Sequence, residues 1–280
     1  MMPFFKKFPF ALVLTALFLA ACTDYVEQID DQIAEYEAHD KAMMESSSSV
    51  ADRKTASSSS SVTPKSSSSE KTEPVSSSSA MEDFFVDERD GRTYRIAVID
   101  TQIWMAENLN YETDNSFCYN DDPENCAKYG RLYTWAAAMD SAGVFSLNAK
   151  RCGYLSYQCD PTDPVRGICP EGWHLPNNWE WKALFSAAGG NNSVVKKLKA
   201  TSGWDDEKNG SDDYGFSLLP AGFRYDDGRY LNEGGLAVFW TSDVSLGENA
   251  KRVYFRYNDN RMLEDTYRMN YALSVRCVKN

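Results

Sequence analysis

Seven cysteines are spread unevenly along the 280 residues: one at position 22, the other six between 118 and 277. What they can do depends on the compartment, and the N-terminus speaks to that. Lys6 and Lys7 precede an apolar run from Phe8 to Ala21, and small residues lead up to Cys22. A short basic-then-apolar leader of this kind is a secretory signal, so residues 1–21 are expected to be removed. Leu19-Ala20-Ala21-Cys22 has the pattern of a bacterial lipobox, in which Cys22 is lipidated and becomes the first residue; the plainer alternative is an ordinary cleavage nearby. In an oxidising compartment the remaining even set, Cys118, Cys126, Cys152, Cys159, Cys169 and Cys277, reads as a disulfide framework. Short spacing suggests Cys118–Cys126 and Cys152–Cys159, which leaves Cys169 for Cys277. A fold closed by such a long loop has its ends tied together, and this bounds its architecture more tightly than any propensity.

Behind the leader, residues 22–45 are acidic, with Val26, Ile29, Ile33 and Tyr36 at helical spacing. They predict a membrane-proximal helix or a disordered leader. Residues 46–82 hold serine runs at 46–49, 57–61, 66–69 and 76–79 and too few hydrophobes to form a core, so they predict a flexible tether. The 35 residues 46–80 would span about 30–35 Å as a coil and at most about 120 Å extended. Lipid at Cys22 and this tether would hold residues 83–280 off a membrane surface, with Thr23 favouring the outer membrane and cell-surface display. The net charge of −12 becomes −14 once Lys6 and Lys7 leave with the leader, which argues against nucleic acid and anionic lipid as partners.

From residue 83 onward the chain reads as one globular α+β domain. Asp90-Gly91 between two alternating runs predicts a hairpin, and "IWMAENL" a further short strand. "RLYTWAAAMDSA" (131–142) predicts a helix, and residues 143–168 an irregular stretch. Asn177 with Glu180 three residues later is a capping box, opening a helix that Gly189-Gly190 closes. Trp181, Leu184, Phe185 and Ala188 share its inner face. A short "SVVKKLKA" helix and strands in "YGFSLLPAGFR", "AVFWTSDV", "KRVYFRY" and "YALSVRCVKN" complete the domain.

These segments carry a resemblance. "IWMAENLNY", "YGRLYTWAAAM", "GICPEGWHLPNNWEW", "LKATSGW", "DDYGFSLLPAGFR", "FWTSD" and "SVRCVKN" resemble, in that order, the Fibrobacter succinogenes major paralogous domain over roughly residues 84–280. The resemblance implies a C-type-lectin-like fold of two helices and a small antiparallel sheet, with a terminal strand held by a disulfide. Formylglycine-generating enzymes of the same superfamily have a helix start similar to "LPNNWEWK", but their close cysteine pair has no counterpart in residues 251–268, so that activity does not carry over.

Catalysis by Cys169 with His174 as base would need a free thiol and an orienting group; an extended Trp173-His174-Leu175 packed around a bridge is the simpler expectation, and no catalytic residue is assigned. One domain histidine and no CxxC leave no zinc set, and no cofactor is expected. Calcium is the one candidate ion, through Asp205, Asp206, Asp212 and Asp213, although EF-hand spacing and the sugar-binding lectin signatures are missing. Aromatic residues make up 13% of the chain, and Trp204, Tyr225, Tyr230 and Trp240 are candidate sugar-stacking residues in or beside predicted loops; a core role is the alternative. The functional expectation is a non-catalytic surface recognition module for plant polysaccharide or an envelope protein. A carboxylate-based hydrolase and a structural envelope protein are the alternatives.

Overall fold

The computed structural model describes residues 84–156, 158–190 and 193–280, all within the compact unit Ser76–Asn280. The expectations for residues 1–21, for the acidic leader 22–45 with Cys22, and for the tether at 46–82 lie outside the described residues.

The Asp90-Gly91 turn forms where its chemistry places it. Gly91 takes φ +74°, and its amide donates to the Asp87 carbonyl at 2.8 Å. This folds β1 (Phe84–Asp87) antiparallel onto β2 (Arg92–Ile99), which pairs in turn with β3 (Gln102–Met105). The next elements are β4 (Ser116–Phe117), α1 (Pro123–Tyr129), β5 (Leu132–Thr134) and α2 (Trp135–Ala138). After a long irregular segment come β6 (Trp173–His174), α3 (Asn178–Ala187) and α4 (Val194–Leu198). Strands β7 (Ala221–Arg224), β8 (Tyr230–Glu233), β9 (Leu236–Val244), β10 (Asn249–Arg256), β11 (Leu263–Arg268), β12 (Ala272–Ser274) and β13 (Val278–Lys279) follow.

Two sheets result. One runs β1-β2-β3-β13-β6; the other runs β11-β10-β9-β12-β5-β4, with β7 joined to β12 and β8 to β7. Among the described strands all pairings are antiparallel except β9 with β12; a lone parallel bridge joins Lys199 to Leu218. The class is α+β, dominated by sheet. Two helices and one small sheet understate it, since the described residues hold two sheets and four short helices. Residues 131–142 depart furthest from expectation. Leu132 and Tyr133 are strand residues between β12 and β4, and only Trp135–Ala138 is helical, capped by the Thr134 hydroxyl accepting from the Ala137 amide. "YGFSLLPAGFR" is a strand only from Ala221.

Helix α3 starts as its sequence dictates. The Asn177 side chain accepts from the Glu180 amide at 3.0 Å, and Glu180 Oε2 accepts from the Asn177 amide at 2.8 Å. Its inner face buries Trp181 and Leu184. The Trp181 ring lies 4.8 Å from Trp104 of β3 and 5.1 Å from Phe239 of β9, so α3 joins the two sheets through one aromatic core.

Three disulfides close the chain: Cys118–Cys126, Cys152–Cys159 and Cys169–Cys277. These are the pairs that spacing suggests. The irregular segment before β6 is braced by Asp140, whose carboxylate accepts from the amides of Val144, Phe145 and Ser146 at 2.7–2.8 Å. Between β12 and β13, the fully buried Arg276 donates to Asn108 Oδ1 and to the carbonyls of Phe216 and Ser217. Burial lowers its pKa to about 9. Residues 272–279 thus enter both sheets and hold them to the segment after β3.

Candidate ligand-binding cleft

The "GICPEGWHLPNNWEW" segment is structural. Cys169 is fully buried and bonded to Cys277, so it offers no thiol. His174 lies in β6, paired with Val278 of β13. Its Nε2 is 2.7 Å from Glu180 Oε1 and its Nδ1 2.6 Å from Asn280 Oδ1. Burial opposes the imidazolium, but the Glu180 carboxylate and the Asn280 side chain outweigh it and raise the pKa above the usual histidine value.

The four candidate stacking aromatics do not converge. Trp204 and Trp240 must be corrected to core residues. Trp240 is fully buried in the middle of β9 and donates its indole N–H to the Tyr133 carbonyl at 2.7 Å. Trp204 is 4% exposed, donates to the Leu218 carbonyl at 3.0 Å and carries the Lys199 ammonium over its ring at 4.2 Å. Tyr225 and Tyr230 stay half-buried but belong to different clusters. Tyr225 packs on Tyr271 at 4.7 Å and lies 5.0 Å from the Arg229 guanidinium. Tyr230 packs on Tyr119 at 5.2 Å and hydrogen-bonds Asp121; burial, reinforced by that bond, pushes its phenol up to about 12.

The acidic residues considered for calcium are likewise separate. Asp212 accepts from the Ser217 amide at 2.7 Å and from its hydroxyl at 2.5 Å, tying its own loop. Asp205 has a raised pKa, from burial first and then from the charges of Asp206 and Glu233. Asp206 and Asp213 point to solvent. Among the described residues, no three His, Cys, Asp or Glu side chains are placed to hold one ion, so these four aspartates do not assemble a site.

A cleft opens elsewhere, beside the Cys118–Cys126 bridge, with a volume of about 660 Å³. One wall is the β1–β2 turn. Asp87, 1% exposed, takes Arg89 in a fork, with Nε to Oδ1 at 2.9 Å and Nη2 to Oδ2 at 2.7 Å. Arg89 Nη1 donates to the Ile168 carbonyl at 2.7 Å. The guanidinium plane sits 4.0 Å over the Tyr111 ring, and Phe145 meets the Tyr111 edge at 5.7 Å. Arg89 is therefore fixed in place. Arg92, on the far side of the turn, is 3.9 Å from Asp90.

The opposite wall comes from α1 and the residue before β5. Asp122 caps α1 by accepting from the Glu124 amide, and Asn110 Nδ2 donates to the Cys126 carbonyl at 2.9 Å. Arg131 pairs with Glu112 at 2.8 Å. The cleft thus presents guanidinium donors, carboxylate acceptors and an aromatic ring side by side. Nothing local in the sequence marks this convergence, because its walls come from three separate stretches, 89–92, 110–112 and 118–131, that only folding brings together. The one visible hint is Arg89 and Arg92 flanking a turn in an acidic chain.

Outside the cleft, Trp179 of α3 is 77% exposed, with the Lys182 ammonium 5.4 Å from its ring.

These features define a disulfide-stapled α+β domain with an open, polar, arginine-lined cleft. Residues 98–279 match the family model of the Fibrobacter succinogenes major domain, and the chain belongs to that family. No curated protein and no solved structure matches it.

Proposed function

We propose that the protein is a non-catalytic recognition module, anchored by lipid on Cys22, held off the outer membrane by its serine-rich tether, and binding glycan in the cleft beside Cys118–Cys126. The cleft carries this reading. Paired donors and acceptors around an aromatic ring suit a ligand dense in hydroxyls, and about 660 Å³ lies in the range of small-ligand sites. A C-type-lectin-like ancestry is consistent with the last strand being tied by Cys169–Cys277 to the start of β6. The test is retention of the protein, with Cys22→Ser for solubility, on insoluble cellulose, xylan and a pectin gel. Retention on at least one matrix, lost in the Arg92→Ala/Arg131→Ala double variant, supports the reading. Passage through all three sinks it, and leaves an envelope protein as the partner or a structural role.

A further inference from the structure

We propose that the ligand of the cleft bears a carboxylate, as a uronic-acid sugar does. This rests on the glycan reading above and names the class of sugar. The chain has a net charge of −12, yet three guanidiniums line this one cleft against two carboxylates, Asp90 and Glu112. The third acid, Asp87, is buried beneath Arg89 and held there by the forked pair. Arg89 is the fixed base of the site rather than its recruiting group.

The other two arginines are open to exchange. Arg131 is 14% exposed and preorganised, whereas its partner Glu112 is 80% exposed. An ion pair with one member in water contributes little, so a ligand carboxylate can take the place of Glu112 and form a fork with the same guanidinium. Arg92 is 47% exposed, and its guanidinium lies 3.9 Å from Asp90, beyond hydrogen-bond reach. Asp90 Oδ1 meanwhile accepts from the Arg92 amide at 3.0 Å. Asp90 therefore fixes the turn while leaving the Arg92 side chain available. At physiological ionic strength charges more than about 8 Å away are largely screened, so the acidic remainder of the surface does not repel a ligand seated between these arginines.

The experiment titrates the full chain carrying Cys22→Ser with galacturonate and cellulose oligomers of equal length and with dextran sulfate, at 0.15 M salt by calorimetry. The galacturonate oligomer should bind about tenfold more tightly than the neutral one, the difference one charge-assisted fork supplies. Arg131→Gln, which removes the fork, should abolish most of that advantage, and Arg92→Gln a smaller part of it. Glu112→Gln, which frees Arg131 of its competitor, should tighten galacturonate binding about two- to fivefold. Equal or better binding of the neutral oligomer overturns the carboxylate assignment and leaves the glycan reading standing. Equal binding of dextran sulfate overturns it as well, in favour of unspecific attraction to anions. No binding of any of the three removes both.

Discussion

Removing the Cys169–Cys277 bridge should destabilise the domain far more than removing either local one. The two cysteines are 108 residues apart, whereas the others close loops of 8 and 7. In the chain-entropy treatment the long bridge contributes about 4.7 kcal/mol and a local one about 2.5 kcal/mol. The strands at this junction are short: β6 and β13 have two residues each, joined by one pairing and by His174 to Asn280 at 2.6 Å. For a domain of ordinary stability, about 5–15 kcal/mol, the long bridge would be a third or more of the total. The perturbation is Cys169→Ala/Cys277→Ala, compared with Cys118→Ala/Cys126→Ala. Guanidinium unfolding followed by tryptophan fluorescence is a suitable assay, because six of the seven tryptophans are at most 4% exposed and redden on unfolding. The expected gap between the two double variants is about 2 kcal/mol in favour of the local one. Equal losses, or a larger loss at Cys118–Cys126, would refute the argument from loop length.

Two further outcomes follow from the core and from His174. Trp181→Ala should cost about 3–5 kcal/mol, as a large core truncation does, while Trp179→Ala two residues earlier should stay within about 0.5 kcal/mol; the same denaturant titration reads both. His174 titrates above its unfolded value in the fold, so its contribution is complete below the unfolded pKa and is lost as pH rises through the folded one. Unfolding midpoints should therefore fall from pH 5.5 to pH 8.5, and His174→Gln should flatten that slope; an unchanged slope in the variant would show that other groups set it.

Legibility in the sequence followed the range of the interactions. The Asn177–Glu180 capping box and the Asp90-Gly91 turn are local chemistry, and both form as expected. The cysteine spacings carried the pairing. Residues 131–142 misled because alanines favour helix locally, whereas the partners of Leu132 and Tyr133 lie on β12, about 140 residues downstream. Strand β11 was hidden by an acid at an inward position; Asp265 is tolerated there because Arg252 of β10 meets it with two hydrogen bonds. Trp240 and Trp204 lie in or beside predicted loops, but the Tyr133 and Leu218 carbonyls claim their indoles and place both in the core. The cleft was invisible because folding gathers its lining from separate stretches between residues 89 and 131, with Arg89 held by Ile168 79 residues away.

Residues 272–279 belong to both sheets, and this sets the order in which the protein can be completed. Until they arrive, β3 keeps a bare edge where β13 will pair, β5 and β9 have no strand between them, and Cys169 has no sulfur to meet. Without them the two sheets still meet through α3, whose Trp181 packs on Trp104 and Phe239, but neither sheet is complete. These few residues act as a clasp: a chain cut before Ala272 would lose the edge partner of β3, the strand between β5 and β9 and one disulfide together.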